Sequence, residues 1–146
     1  MMKAFNFRLE KILRIRSFYE EQAKIELGRC VSESEKIKAV LRHIASEKVA
    51  ARKSMGFQSF DLQDFLASEN YLKNLDAKKE MFLAKLAEAE LQIEKARKAY
   101  IAASQKRKTI TRLKEKQLEA WKKETQQEEA ATLDDIANSN TVRQKR

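Results

Sequence analysis

Apolar positions recur along this chain every three or four residues. Stepping by four and three in turn from Leu9 gives Leu9, Leu13, Arg16, Glu20, Ala23, Leu27, Cys30, Ser34, Ile37, Leu41, Ile44, Lys48, Ala51 and Met55, and ten of these fourteen rungs are apolar. Similar steps from Leu72 pass through Leu75, Lys79, Phe82, Leu86, Ala89, Ile93, Ala96, Tyr100, Ala103 and Arg107 to Ile110, with ten of twelve apolar. A sustained repeat of about 3.5 residues is the seam of a left-handed coiled coil, so the pattern predicts two long helices. Between them the stretch SMGFQSFD carries the breaker Gly56, with Ser59 or Asp61 placed to cap the second helix. The predicted fold is all-α, a single antiparallel coiled-coil hairpin. Helix 1 is expected over about residues 5–55, the turn over about 56–60, helix 2 over about 61–137, and a polar, frayed tail over about 138–146.

The two helices differ in length, roughly 75 Å against roughly 115 Å at about 1.5 Å per residue. If Met55 lies near Leu62, the numbers of facing residues add to about 117, which sets Leu13 near Ser104 and Leu9 near Lys108. Helix 2 then overhangs its partner from about residue 110. The continued rungs Lys114, Gln117, Trp121 and Glu124 hold one apolar residue in four, as expected of a seam that has lost its partner. Leu113, Leu118 and Trp121 form an apolar patch on the unpaired helix. Either that patch is open to another protein, or the helix packs back on Phe5 and Phe7.

Composition narrows the function. The 146 residues include only 2 Gly and no Pro, with 36% charged and 42% hydrophobic, the profile of a long helix or coiled coil and not of a conventional enzyme core. The longest runs without Asp, Glu, Lys or Arg are seven residues, at 54–60, 99–105 and 136–142, against the roughly 20 apolar residues of a membrane span. MMKAFNFRLEKILRIR has no uninterrupted apolar core, so no signal peptide is expected, and the lone Cys30 has no intrachain disulfide partner. A cytosolic protein is the expectation. The single histidine, His43, lies between the seam residues Leu41 and Ile44 and has no nucleophile turn to serve. Gly28 and Gly56 stand alone, so no phosphate-cradling loop exists, and Glu124, Glu128, Glu129, Asp134 and Asp135 read as a solvated acidic face. Neither enzyme activity nor a cofactor or metal is expected. Gly28 falls mid-helix, where glycine costs about 1 kcal/mol relative to alanine; a close helix contact and a local flexible point are its competing explanations.

The net charge of +9 is unevenly spread: +4 over residues 1–16, +6 over 105–123, and −2 over 124–146. Antiparallel pairing brings the two most basic stretches together. The open end becomes a cationic docking surface, with Arg8, Lys11 and Arg14 on one helix, Arg107, Lys108, Arg112 and Lys114 on the other, and Leu113, Leu118 and Trp121 beside them. Nucleic acid, anionic lipid and an acidic protein surface all suit such a field. No aromatic residue lies between Lys106 and Lys116 to stack on bases, which disfavours specific nucleic-acid binding. The apolar seam is needed for the hairpin's own core, which disfavours direct membrane contact. A basic adaptor for nucleic acid or ribosomes and a generic scaffold remain the alternatives to a dedicated protein-docking role.

Four blocks stand in order along the chain: Phe5-x-Phe7-x-Leu9-Glu10-x-Ile12-Leu13-x-Ile15-Arg16 with Ala23, Leu27 and Gly28; Tyr71-Leu72-x-x-Leu75; Arg107-Lys108-x-Ile110-x-x-Leu113-Lys114-Glu115-Lys116; and Glu128 with Leu133-Asp134-Asp135-Ile136-Ala137. Together they resemble the FliJ family, the small coiled-coil components of the bacterial flagellar type III export apparatus. At Asp135 the family more often has Glu. The resemblance implies a hairpin similar to the central stalk of rotary ATPases, whose open end enters the hexameric export ATPase ring. It also implies that a face nearer the closed end contacts the export gate membrane protein, and that the protein escorts other export chaperones. That gate face looks like Leu41, Ile44, Tyr71 and Leu75, although periodicity puts Leu41, Ile44 and Leu75 in the seam and leaves Tyr71 as the strongest contact. The implied location is cytoplasmic, peripheral to the inner membrane at the flagellar base and held there through partners.

Overall fold

The computed structural model describes residues 4–57 and 61–144. It holds two long helices in contact, α1 over Glu10–Phe57 and α2 over Leu62–Gln144, with no strand among the described residues. The fold is the expected antiparallel helical hairpin. The chain forms two compact units. One consists of Met1–Glu20 with Ala102–Arg146, the open end, and the other of Glu21–Ile101, the closed end.

Both helices begin where local chemistry favours a start. Asp61 caps α2: its Oδ1 accepts the Asp64 N–H at 2.9 Å, and its carbonyl accepts the Phe65 N–H at 3.1 Å. The first bond satisfies an otherwise orphaned N–H and the second is the first i→i−4 bond of the helix, while Asp64 adds negative charge near the positive end of the helix dipole. Ser59 lies outside the described residues, and Gly56 falls within the last turn of α1. At the other end α1 starts at Glu10, several residues later than the pattern predicts, after a turn in which the Glu10 N–H donates to the Phe7 carbonyl at 3.2 Å. Residues 4–7 are not helical. The Phe5-Asn6-Phe7 alternation has a period of two, which suits an extended segment better than a helix. The far end of α2 continues to Gln144, through the polar stretch expected to fray.

The seam is where the rungs place it. All fourteen α1 rungs from Leu9 to Met55 are buried or half-buried, and of the twelve on α2 only Lys79 is exposed. Ile44 is the most enclosed side chain, and Cys30, Ser34, Leu75, Ala96 and Ile110 are buried with it. Polar rungs find partners across the seam. Arg107 Nε donates to Glu20 Oε2 at 2.5 Å, Arg16 donates to the Lys106 carbonyl at 3.0 Å, and Lys48 pairs with Asp76. No buried side-chain nitrogen or oxygen among the described residues is left without a hydrogen-bond partner.

The register and the overhang differ from expectation. In the open-end unit the facing numbers of Glu10 and Lys114, Arg16 and Lys106, and Glu20 and Arg107 add to 124, 122 and 127, not 117. The partners of α1 there lie roughly one heptad further along α2. A shift of seven residues superposes the same apolar stripe, so periodicity alone does not choose between registers. Pairing is further lengthened by residues 4–7, because an extended chain covers about 3.3 Å per residue where a helix covers about 1.5 Å. Half-burial on α2 therefore continues through Lys114, Leu118 and Trp121 to Thr125, and only residues 126–144 are exposed throughout. The overhang starts near 126, not near 110.

Candidate docking surfaces

In the open-end unit the ten residues expected to form one docking surface divide by environment. Trp121 packs against Phe5 with ring centroids 5.9 Å apart and planes tilted by 55°, Phe7 is buried, and Leu118 is half-buried. The packing-back alternative is thus the one realised, and Trp121 and Leu118 are intramolecular contacts. Leu113 remains exposed. Two of the cations are also engaged within the chain: Arg107 with Glu20 and with Thr111 Oγ1, and Lys114 with Glu10 Oε2 at 2.8 Å. Arg8, Lys11, Arg14, Lys108 and Arg112 are exposed, and none of them forms an ion pair among the described residues. Counting heptad positions from the seam puts Lys11, Arg14, Lys108 and Arg112 on the outer faces of their helices, where a partner would meet them first.

Sequence reasoning missed a second apolar line in this unit. Ile12, Ile15, Phe18 and Tyr19 are all exposed, by 40 to 62%, and the Phe18 and Tyr19 rings meet edge to face at 5.8 Å. Ile12, Ile15 and Tyr19 follow i, i+3, i+7 spacing, a helical stripe in its own right. The signal was present but lay beside the stronger seam of Leu9, Leu13, Arg16 and Glu20.

In the closed-end unit, Ile44 is 1% and Leu75 5% exposed, and Leu41 is half-buried on the seam. Ile44 and Leu75 hold the helices together and present nothing to a partner. Tyr71 stands outside the seam, 46% exposed, and donates its hydroxyl to Glu47 Oε2 at 3.2 Å across the two helices. The other Glu47 oxygen meets His43 Nε2 at 2.6 Å, so His43, Glu47 and Tyr71 form one polar patch on the outer surface. Partial desolvation, followed by the Glu47 hydrogen bond and charge, holds the Tyr71 phenol above its usual pKa and keeps it a neutral donor.

The family model described as Flagellar FliJ protein matches residues 5–146, nearly the whole chain. No curated protein and no solved structure matches it.

Proposed function

Because the chain belongs to the FliJ family and is on that ground a component of the flagellar export apparatus, we propose that it acts there through two protein-docking surfaces. The open-end unit engages the hexameric export ATPase. The face around Tyr71 engages the export gate membrane protein, and the same molecule escorts other export chaperones. What supports the ATPase assignment most is the concentration of exposed cations without ion pairs, Arg8, Lys11, Arg14, Lys108 and Arg112, in the unit that also carries the bare arm of α2. Such a field steers association with an acidic surface and fixes orientation.

The burial pattern decides how to test this. Neutralising Arg107 or Lys114 would break contacts with Glu20 or Glu10 and confuse folding with docking. Lys108→Gln with Arg112→Gln, and Arg8→Gln with Lys11→Gln and Arg14→Gln, leave the seam intact. Each set is expected to weaken association with the ATPase hexamer by about tenfold or more, equivalent to about 1.4 kcal/mol, at unchanged helix content. Wild-type association by both sets would remove the open-end assignment. For the gate, Tyr71→Ala is the discriminating change, since Ile44 and Leu75 substitutions act first on the fold.

A further inference from the structure

In the exposed line, Ile15 and Phe18 face away from the seam and Ile12 and Tyr19 stand beside it; none is a seam rung, so the line is not the hairpin's core serving twice. At about 100° per residue these side chains span an arc of roughly 120°. Arg14 flanks that arc beside Phe18, Lys11 projects within it between Phe18 and Ile15, and Arg8 lies one turn before it. In an antiparallel pair, positions beside the seam on one helix meet the equivalent positions on the other. Leu113 and Lys106, both exposed, therefore continue the surface from Ile12 and Tyr19 onto α2.

The acids of this stretch are elsewhere. Glu10, Glu20 and Glu21 project more than about 120° from the arc's centre. Glu10 and Glu20 are further tied to Lys114 and Arg107. What remains is a convex face on which aliphatic and aromatic side chains share the arc with Lys11 and are edged by Arg14, free of carboxylates. A second copy of this face would set like charges against one another. An anionic bilayer matches both features: the apolar side chains enter the headgroup and acyl boundary, Tyr19 sits at the polar level, and the cations meet lipid phosphates. We propose that this face of the open-end unit binds an anionic lipid surface directly. No described helix is long and apolar enough to cross the membrane, so the contact is interfacial.

Cosedimentation of the full chain with vesicles tests this. Vesicles of phosphatidylglycerol with phosphatidylcholine are expected to bind it, and phosphatidylcholine alone to bind far less. Lys11→Gln with Arg14→Gln should weaken binding about 30-fold, the combined effect of two cations at an anionic surface. Ile15→Ser with Phe18→Ser should weaken it by about tenfold or more. All four positions are exposed, and circular dichroism should be unchanged. With Trp121→Phe as background, Phe18→Trp should give an emission that shifts to the blue on phosphatidylglycerol vesicles. Equal binding to both vesicle types, no binding at low salt, or wild-type binding by the apolar variant would overturn the proposal. So would equally tight binding to polyglutamate lost through the same substitutions, which would mark an acidic-protein site. No ATPase is present in this assay, so its failure and that of the ATPase reading are separable.

Discussion

Of the fourteen rungs on α1 four are polar, and three of those reach across to α2: Arg16 to the Lys106 carbonyl, Glu20 to Arg107, and Lys48 to Asp76. Glu20 and Arg107 are both seam positions, and their side chains are 19% and 28% exposed, between a surface pair and a buried one. A double-mutant cycle on Glu20→Gln and Arg107→Gln is therefore expected to give a coupling of about 1–2 kcal/mol in chemical denaturation. Exchanging the charges, Glu20→Arg with Arg107→Glu, should recover much of the single-mutant loss, because it restores opposite charges on facing rungs. A coupling near zero would mean that the pair adds nothing to stability beyond its separate side chains. Gly28 poses the opposite problem at the same scale. A Cβ built there meets nothing within 4 Å, so the close-contact explanation for this glycine is excluded. Gly28→Ala should stabilise the protein by about 0.5–1 kcal/mol through helix propensity and a less entropic unfolded chain. Thermal denaturation measures this directly.

At the scale of elements, the closed end carries a pH-sensitive contact. Lys48, through its hydrogen bond and charge, holds the Asp76 carboxyl below its ordinary value of 3.8. A depressed folded-state pKa stabilises the fold above the unfolded value and ceases to do so as pH falls through the folded one. Stability should therefore drop below roughly pH 4, and Asp76→Asn should remove that part of the acid dependence while costing stability near neutrality. Melting curves of both proteins from neutral to acid pH provide the check. The helices, their seam and a cap at Ser59 or Asp61 were legible in the sequence, because a 3.5-residue repeat and a capping side chain are local signals; the structure shows Asp61 in that role. Register was not, since a seam repeated every seven residues fits itself after a heptad shift, and the assumed Met55 to Leu62 anchor was the wrong constraint. The pairing of Glu20 with Arg107, opposite charges on facing rungs, was the signal available to correct it. The start of α1 was misjudged for a different reason. Helix 1 is expected from about residue 5, yet the spacing of two between Phe5 and Phe7 belongs to an extended segment whose Phe5 packs on Trp121.

At the scale of the whole molecule, what matters is the inequality between Glu10–Phe57, 48 residues, and Leu62–Gln144, 83 residues. The short N-terminal segment makes up part of the difference by covering α2 as far as Trp121, and residues 126–144 have no such cover. Thr132 and Thr141 bond back to the carbonyls of Glu128 and Ala137 at 2.8 Å, so their hydroxyls are satisfied within the helix. Leu133, Ile136 and Val142 are left exposed. An unpacked helix gains no stability from tertiary burial, so this arm contributes little to the stability of the rest of the molecule. Ending the chain after Thr125 should then change the stability of the remainder by no more than about 0.5 kcal/mol, since no seam contact is lost. If the arm is part of the surface that engages the export ATPase, the same truncation should weaken ring association markedly while the vesicle binding assigned to Ile15 and Phe18 persists. A truncated protein that melts far earlier would show that the arm packs on the molecule; one that binds the ring normally would confine docking to the cations of Arg8, Lys11, Arg14, Lys108 and Arg112.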